Sequence, residues 1–293
     1  MGRPLASLAT ALGVLLLASA VANAAPRVVR YPRGVSENDT RSAYFVELLR
    51  LALDKTAATD GPVRLEPSRA LMRQGRALAS LARRQHIDVA WSMTSREREA
   101  LVRPVRIPLL KGLLGYRVLL VRKGEAARFA SIEDLAGLRR LRAGQGADWP
   151  DVQILEANGL PVVKSSSYEG LFGMLARGRF DYLPRGVTEV WEELRTHATL
   201  PIELEPHLLL HYPSAIYFFV AKDDTALAER LERGLRAALA DGSFDALLRS
   251  HPATRPAFER THFERRRILE LTNPLLPEQT PLDDERLWFH PPS

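Results

Sequence analysis

The chain has 293 residues, a formal net charge of +6 and no cysteine. Without cysteine there are no disulfides, no thiol chemistry and no lipid on a processed N-terminal cysteine. Basic and acidic residues are interspersed and aromatics make up only 7%, which argues against a nucleic-acid partner.

The N-terminus reads as a leader. Arg3 supplies a positive start, residues 5–21 an apolar stretch, and Ala22-Asn23-Ala24 a small-residue cleavage site, so residues 1–24 are expected to be removed after Ala24. The apolar stretch is short for a membrane span and is broken by Ser7, Thr10, Gly13 and Ser19. No later stretch is long and apolar enough to insert stably in a membrane. Export without an anchor points to the periplasm.

Residues 27–31 (RVVRY) read as a first strand, and residues 42–55 as an amphipathic helix with apolar positions 45, 46, 48, 49, 52 and 53. Residues 63–65 suggest a second strand and residues 71–84 a second helix. That βαβα order implies right-handed crossovers and a mostly parallel sheet flanked by helices, an α/β class. Residues 87–91 form the next apolar run. Ser95 then stands where a helix N-cap belongs, with Glu97 in the first turn. A strand running into a helix N-terminus is where open α/β sheets hold small ligands. Arg98 projects near that point with a planar, always-charged fork suited to a carboxylate.

Residues 116–121 are an apolar strand crossing into a second lobe. Ser131 is expected to cap a short helix ended by Gly137, and residues 138–143 to form a strand. Gly144-Gln145-Gly146-Ala147-Asp148-Trp149-Pro150 follows. Asp148 is expected to cap the next helix or to contact a cationic ligand group, and Trp149 is either a stacking wall or core. Residues 162–163 and 178–182 lead into further strands, with helices expected to start at 165–169 and over 187–194. Residues 202–210 are apolar strand, 214–220 (SAIYFFV) return to the first lobe, and 225–240 and 243–249 are helices. The tail beyond Pro256 is basic, then proline-rich. It is expected to pack across lobe one with Trp288 and Phe289 as anchors, with docking of a partner as the other reading.

The segment from His86 to Lys123 resembles the family 3 extracytoplasmic solute-binding proteins, the receptors of polar amino-acid ABC transporters. The likeness rests on Asp88–Val89, Ser92-Met93-Thr94-Ser95, Glu97–Arg98, Ile107–Pro108 and the stretch from Leu119 to Lys123. It implies a two-lobed, type II periplasmic-binding-protein-like fold with a two-strand hinge. Lobe one would comprise residues 25–112 and 213–293, and lobe two the inserted residues 113–212. It further implies ligand contacts from Tyr31, Trp91, Ser92, Thr94 and Arg98 in lobe one and from Gly146, Trp149 and Arg185 in lobe two. The family's strand after a Gly-Arg-x-Asp step ends in an aspartate that pairs the ligand's ammonium. Here that position is Gly186, preceded by Arg185, which favours an anionic or polar non-zwitterionic solute.

Enzyme chemistry has little to build on. No Gly-x-Ser-x-Gly, phosphate-binding loop or His-Glu-x-x-His motif occurs. His207 and His211 lack nearby ligands to complete a metal site. Glu192–Glu193 and Asp283–Asp284 sit in polar contexts, whereas acid–base work needs a desolvated cleft. The expectation is a monomeric receptor for a small solute, with no cofactor or metal and an inner-membrane ABC permease as the candidate partner. The alternatives are a dehydratase-like enzyme using Asp148, Tyr168 and Arg98, and a sensory or interaction protein.

Overall fold

The computed structural model describes residues 26–33, 40–72 and 74–292. The expected leader lies outside the described residues. In chain order, β1 (Arg27–Arg33) is followed by α1 (Thr40–Lys55), α2 (Ala57–Asp60), β2 (Val63–Leu71), α3 (Gln74–Ala82), β3 (Ala90–Met93), α4 (Arg96–Leu101) and β4 (Arg103–Val105). Next come β5 (Tyr116–Arg122), α5 (Leu135–Leu138), β6 (Ala143–Gly146), α6 (Asp151–Ala157), β7 (Val162–Ser165), α7 (Tyr168–Ala176), β8 (Tyr182–Gly186), α8 (Val190–Thr196), β9 (Ile202–Leu204) and β10 (Leu208–His211). The chain finishes with β11 (Ile216–Val220), α9 (Thr225–Ala240), α10 (Ser243–Ser250), α11 (Arg255–Arg260) and β12 (Arg267–Glu270).

The strands fall into two groups. One holds the β1–β2 pair and the three-stranded sheet β3-β11-β4. The Asp88 and Val89 amides donate to the Arg30 carbonyl at 2.8 and 3.2 Å, which ties these two sheets together. The other group is a seven-stranded sheet, in the order β12-β10-β5-β8-β6-β7 with β9 beside β5. All of its strands except β12 lie within the span expected of the inserted lobe. Strands joined through helices pair parallel, as in β1–β2, β6–β7 and β6–β8. The crossing strands β5 and β11 run antiparallel to their neighbours, because each enters its sheet from the other lobe.

The amphipathic spacing of α1 sends Leu48, Leu49 and Ala52 to full burial against α9. Each leucine so buried is worth about 1.5–3 kcal/mol. β5 is buried from Tyr116 through Val121, because both faces of its sheet are covered. At the crossing, a Cβ on Gly115 would lie 2.1 Å from the Tyr212 carbonyl oxygen, so only glycine lets the two crossing segments touch. Arg117 braces them. It donates from Nε to the Tyr212 hydroxyl at 2.7 Å and pairs with Asp151 at 2.8 Å and Glu189 at 3.2 Å.

Three local expectations change. Asp134, not Ser131, caps α5, with its Oδ1 accepting the Gly137 amide at 2.9 Å. The strand expected over 138–143 is β6, which starts at Ala143 and takes in the glycines. The tail does not stay on lobe one. β12 pairs parallel with β10 and extends the seven-stranded sheet, an arrangement set by pairing with a distant strand. Trp288 reaches lobe one, while Phe289 sits at the junction, its carbonyl accepting the Tyr116 hydroxyl of β5 at 3.2 Å. The Trp288 ring covers Gly112, and the Phe289 amide donates to the Lys111 carbonyl at 2.7 Å.

Candidate functional site

The site grows from the junction between β3 and α4. Ser95 is extended, and its Oγ accepts the Arg98 amide at 3.2 Å, capping the six-residue α4 as the sequence indicates. This places Arg98 in the first turn, pointing back at the end of β3. Its Nη1 donates to Ser92 Oγ at 2.6 Å and to the Met93 carbonyl at 2.7 Å, and its Nη2 to Gln74 Oε1 at 3.0 Å. All three acceptors are neutral, and no carboxylate forms an ion pair with Arg98 among the described residues. Neighbouring Glu99 is engaged elsewhere, pairing with Arg106 and accepting the Thr94 hydroxyl at 2.7 Å. Burial lowers the Arg98 pKa and Glu97 partly offsets this, but a guanidinium remains charged at neutral pH. A fixed, partly desolvated cation therefore keeps two N–H groups unspent, on Nε and Nη2.

Arg98 lines a cleft of about 490 Å³ together with Arg96, Asp148, Trp149, Lys164 and Leu275. Its walls come from both lobes and from the tail. Trp149 is the main apolar surface. A Cβ on Gly146 would sit 2.5 Å from the indole, so glycine at the end of β6 lets the ring lie flat on the strand terminus. The Arg185 guanidinium lies 4.7 Å from the Trp149 ring centre.

Arg185 is 4% exposed and paired with two carboxylates. Its Nε reaches both Glu193 oxygens at 3.0 and 2.8 Å, and its Nη2 reaches Glu193 at 2.6 Å and Glu189 at 3.1 Å. Burial opposes its charge, but Glu189 and Glu193 outweigh this and raise its pKa well above the ordinary value. The Glu189 carboxylate also fills the space beside Gly186, where an added Cβ would meet its Oε2 at 2.8 Å. The positive character expected at Arg185 and Gly186 is thus neutralised by two carboxylates.

The remaining expected residues form a second layer. Ser92 and Thr94 are each 1% exposed and lie behind Arg98. Trp91 stacks on Phe45 at 5.5 Å and lies 6.2 Å from Tyr31, and neither Trp91 nor Tyr31 lines the cleft of Arg98. Asp148 does not cap α6, whose N-cap is Pro150 without a side-chain bond. It stands exposed at the cleft mouth. The Tyr168 hydroxyl donates to Glu193 at 2.8 Å. Gln74, Arg96 and Leu275 escape a reading of the sequence. Gln74 and Leu275 come from segments far from Arg98 in the chain, and nothing local marks them. The one available signal was Arg96, two residues before Arg98.

No protein-family model and no curated protein matches this chain. Solved structures do. The probable amino-acid ABC transporter extracellular-binding protein YtmK of Bacillus subtilis aligns at 16% identity and a TM-score of 0.57, covering 79% of this chain and 100% of that one. An ancestral arginine-binding protein bound to arginine aligns at 17% and 0.54, covering 77% and 98%. A Salmonella typhimurium periplasmic binding protein with high arginine specificity aligns at 14% and 0.52, covering 77% and 99%. At these identities the likeness establishes the fold. The chain has the two-lobed architecture of the periplasmic binding proteins, and it carries residues beyond what those structures need to complete it. No helix among the described residues is long and apolar enough to cross a membrane.

Proposed function

We propose that this protein is a periplasmic receptor that captures a small solute bearing a carboxylate or equivalent anion between its two lobes, for delivery to an ABC-type importer. One observation carries the reading. Arg98 is a desolvated guanidinium pinned by three neutral acceptors, without a carboxylate partner among the described residues, on the wall of an interlobe cleft. Holding a cation in place without neutralising it stabilises an incoming anion at little reorganisation cost. Trp149 supplies the flat apolar face against which the rest of the solute packs. The similarity in fold to arginine-binding and transporter-associated proteins supports the receptor role. Because Arg185 is neutralised in place, α-amino acids and their deaminated counterparts both belong in the panel.

The test is a thermal-shift screen of amino acids, hydroxy and keto acids and dicarboxylates, on the wild type and on Arg98→Ala. A ligand present at 100 times its Kd stabilises the native state by about 2.7 kcal/mol, which is a rise of several degrees in Tm. Arg98→Ala should weaken such a hit by at least ~30-fold. A hit retained in the mutant removes Arg98 from the site, and silence across the panel removes the receptor reading.

A further inference from the structure

The segment that follows β12 does something the two-lobed fold does not require. Leu271 donates its amide to the His211 carbonyl at 2.7 Å, closing the β12–β10 ladder. Thr272 is then gripped by Asn158 at the end of α6. The Thr272 amide donates to Asn158 Oδ1 at 3.0 Å, and Asn158 Nδ2 donates to the Thr272 carbonyl at 2.8 Å. Both contacts belong to lobe two. One residue on, Asn273 Nδ2 donates to the Pro213 carbonyl at the crossing, at 2.8 Å. The Pro274 and Leu276 carbonyls next accept the Arg96 guanidinium from α4 of lobe one. Leu275, between them, lines the cleft. Beyond it the chain meets lobe one again where the Trp288 ring covers Gly112 and the Phe289 amide donates to the Lys111 carbonyl.

We infer that residues 272–276 are a clasp across the interlobe cleft, a third link between the lobes that fixes its aperture and positions the helix bearing Arg98. The length of chain decides it. A residue spans at most ~3.6 Å, and a single residue separates the Asn158 grip from the first Arg96 acceptor. The lobes therefore cannot part by more than a few ångströms unless Arg96 lets go, since loss of Asn158 alone leaves the strap held to lobe two by the β12–β10 ladder one residue earlier. The clasp also holds α4, which at six residues is too short to persist without outside support. Arg96 is bound from the strap while Arg98 is bound from β3, so the strap orients the anion-binding turn. The part of this inference that concerns affinity rests on the receptor reading above. The part that concerns the lobes does not.

The absence of cysteine in the chain allows a clean test. Arg50→Cys on α1 and Arg179→Cys beyond α7 are exposed sites, one on each lobe, and spin labels there report the interlobe distance distribution. The expected result is one narrow distribution in the otherwise wild-type protein and a broad one, extended to longer distances, in Arg96→Ala; Asn158→Ala frees one residue of chain and should lengthen the distribution by no more than ~3.6 Å. Both variants should still melt cooperatively. For any anion found in the screen, Arg96→Ala should weaken affinity about tenfold, mostly through a faster off-rate, with partial recovery in Arg96→Lys. A distribution that stays narrow in Arg96→Ala overturns the clasp, whatever the screen finds. Broadening with no ligand in the panel upholds the clasp and counts against the receptor reading alone. Broadening with unchanged affinity overturns the positioning of Arg98.

Discussion

Arg98 lines the cleft while Arg185, in the other lobe, is buried against the Trp149 ring, and their partners give them different work. Arg185 is sealed by a bidentate carboxylate, and breaking such a buried pair from one side leaves an uncompensated charge. Glu193→Ala should therefore lower stability by about 3–5 kcal/mol in a urea titration, and Arg98→Ala by about 1.5–3 kcal/mol, the scale of hydrogen bonds made by a charged group, with no charge left buried and unpaired. Arg98 was legible in the sequence because its cap and its turn are local. The pairing of Arg185 was not, because Glu189 and Glu193 face it only once the turn after β8 folds α8 back over the strand. His251 carries the pH dependence. It is 6% exposed, packs edge-on to Tyr44 at 5.5 Å, and accepts the Ala253 amide on Nδ1 at 3.1 Å. Burial lowers its pKa, partly opposed by Glu47, 3.7 Å from Nε2. As pH falls the unfolded chain takes up this proton first, so the contribution is complete above the ordinary pKa of about 6.5 and declines below it. His251→Gln should flatten the slope of Tm against pH between about 7.5 and 5.5.

At the scale of elements, α4 is the most consequential short piece. Ser95→Ala removes its cap and should cost about 1 kcal/mol by chemical denaturation. It should also weaken anion binding, because Arg98 turns with the helix. Elements with strong periodicity were readable: α9 spans the residues expected of it, and β5 and β11 lie where continuous apolar runs place buried strands. β6 was displaced because Ala-Gly-Gln-Gly carries almost no β propensity. Its glycines are there for packing, since a Cβ on Gly144 would meet the Phe180 ring at 2.2 Å. β2 was read as three residues and runs to nine, because Pro67 lies on an edge strand where a missing amide does no harm. In the tail, β12 escaped because its four residues have no partner nearby in sequence.

On the scale of the whole molecule, the alternation of helices and strands gave the α/β class, and the resemblance carried by residues 86–123 implied two lobes. What lay beyond them was how tightly the lobes are joined. A shared apolar cluster contains Phe45 and Leu109 of the first lobe with Phe172 and Leu183 of the second, and Arg117 locks the crossing segments to α6 and α8. The order in which the chain is made now matters. β10 offers an open edge until residues 267–270 emerge, and an unpaired edge invites pairing with other chains. The sheet of the second lobe therefore cannot finish forming until nearly the whole polypeptide is available, however early its other strands are synthesised. A chain whose last strand completes a middle domain carries that edge unpaired through most of its synthesis.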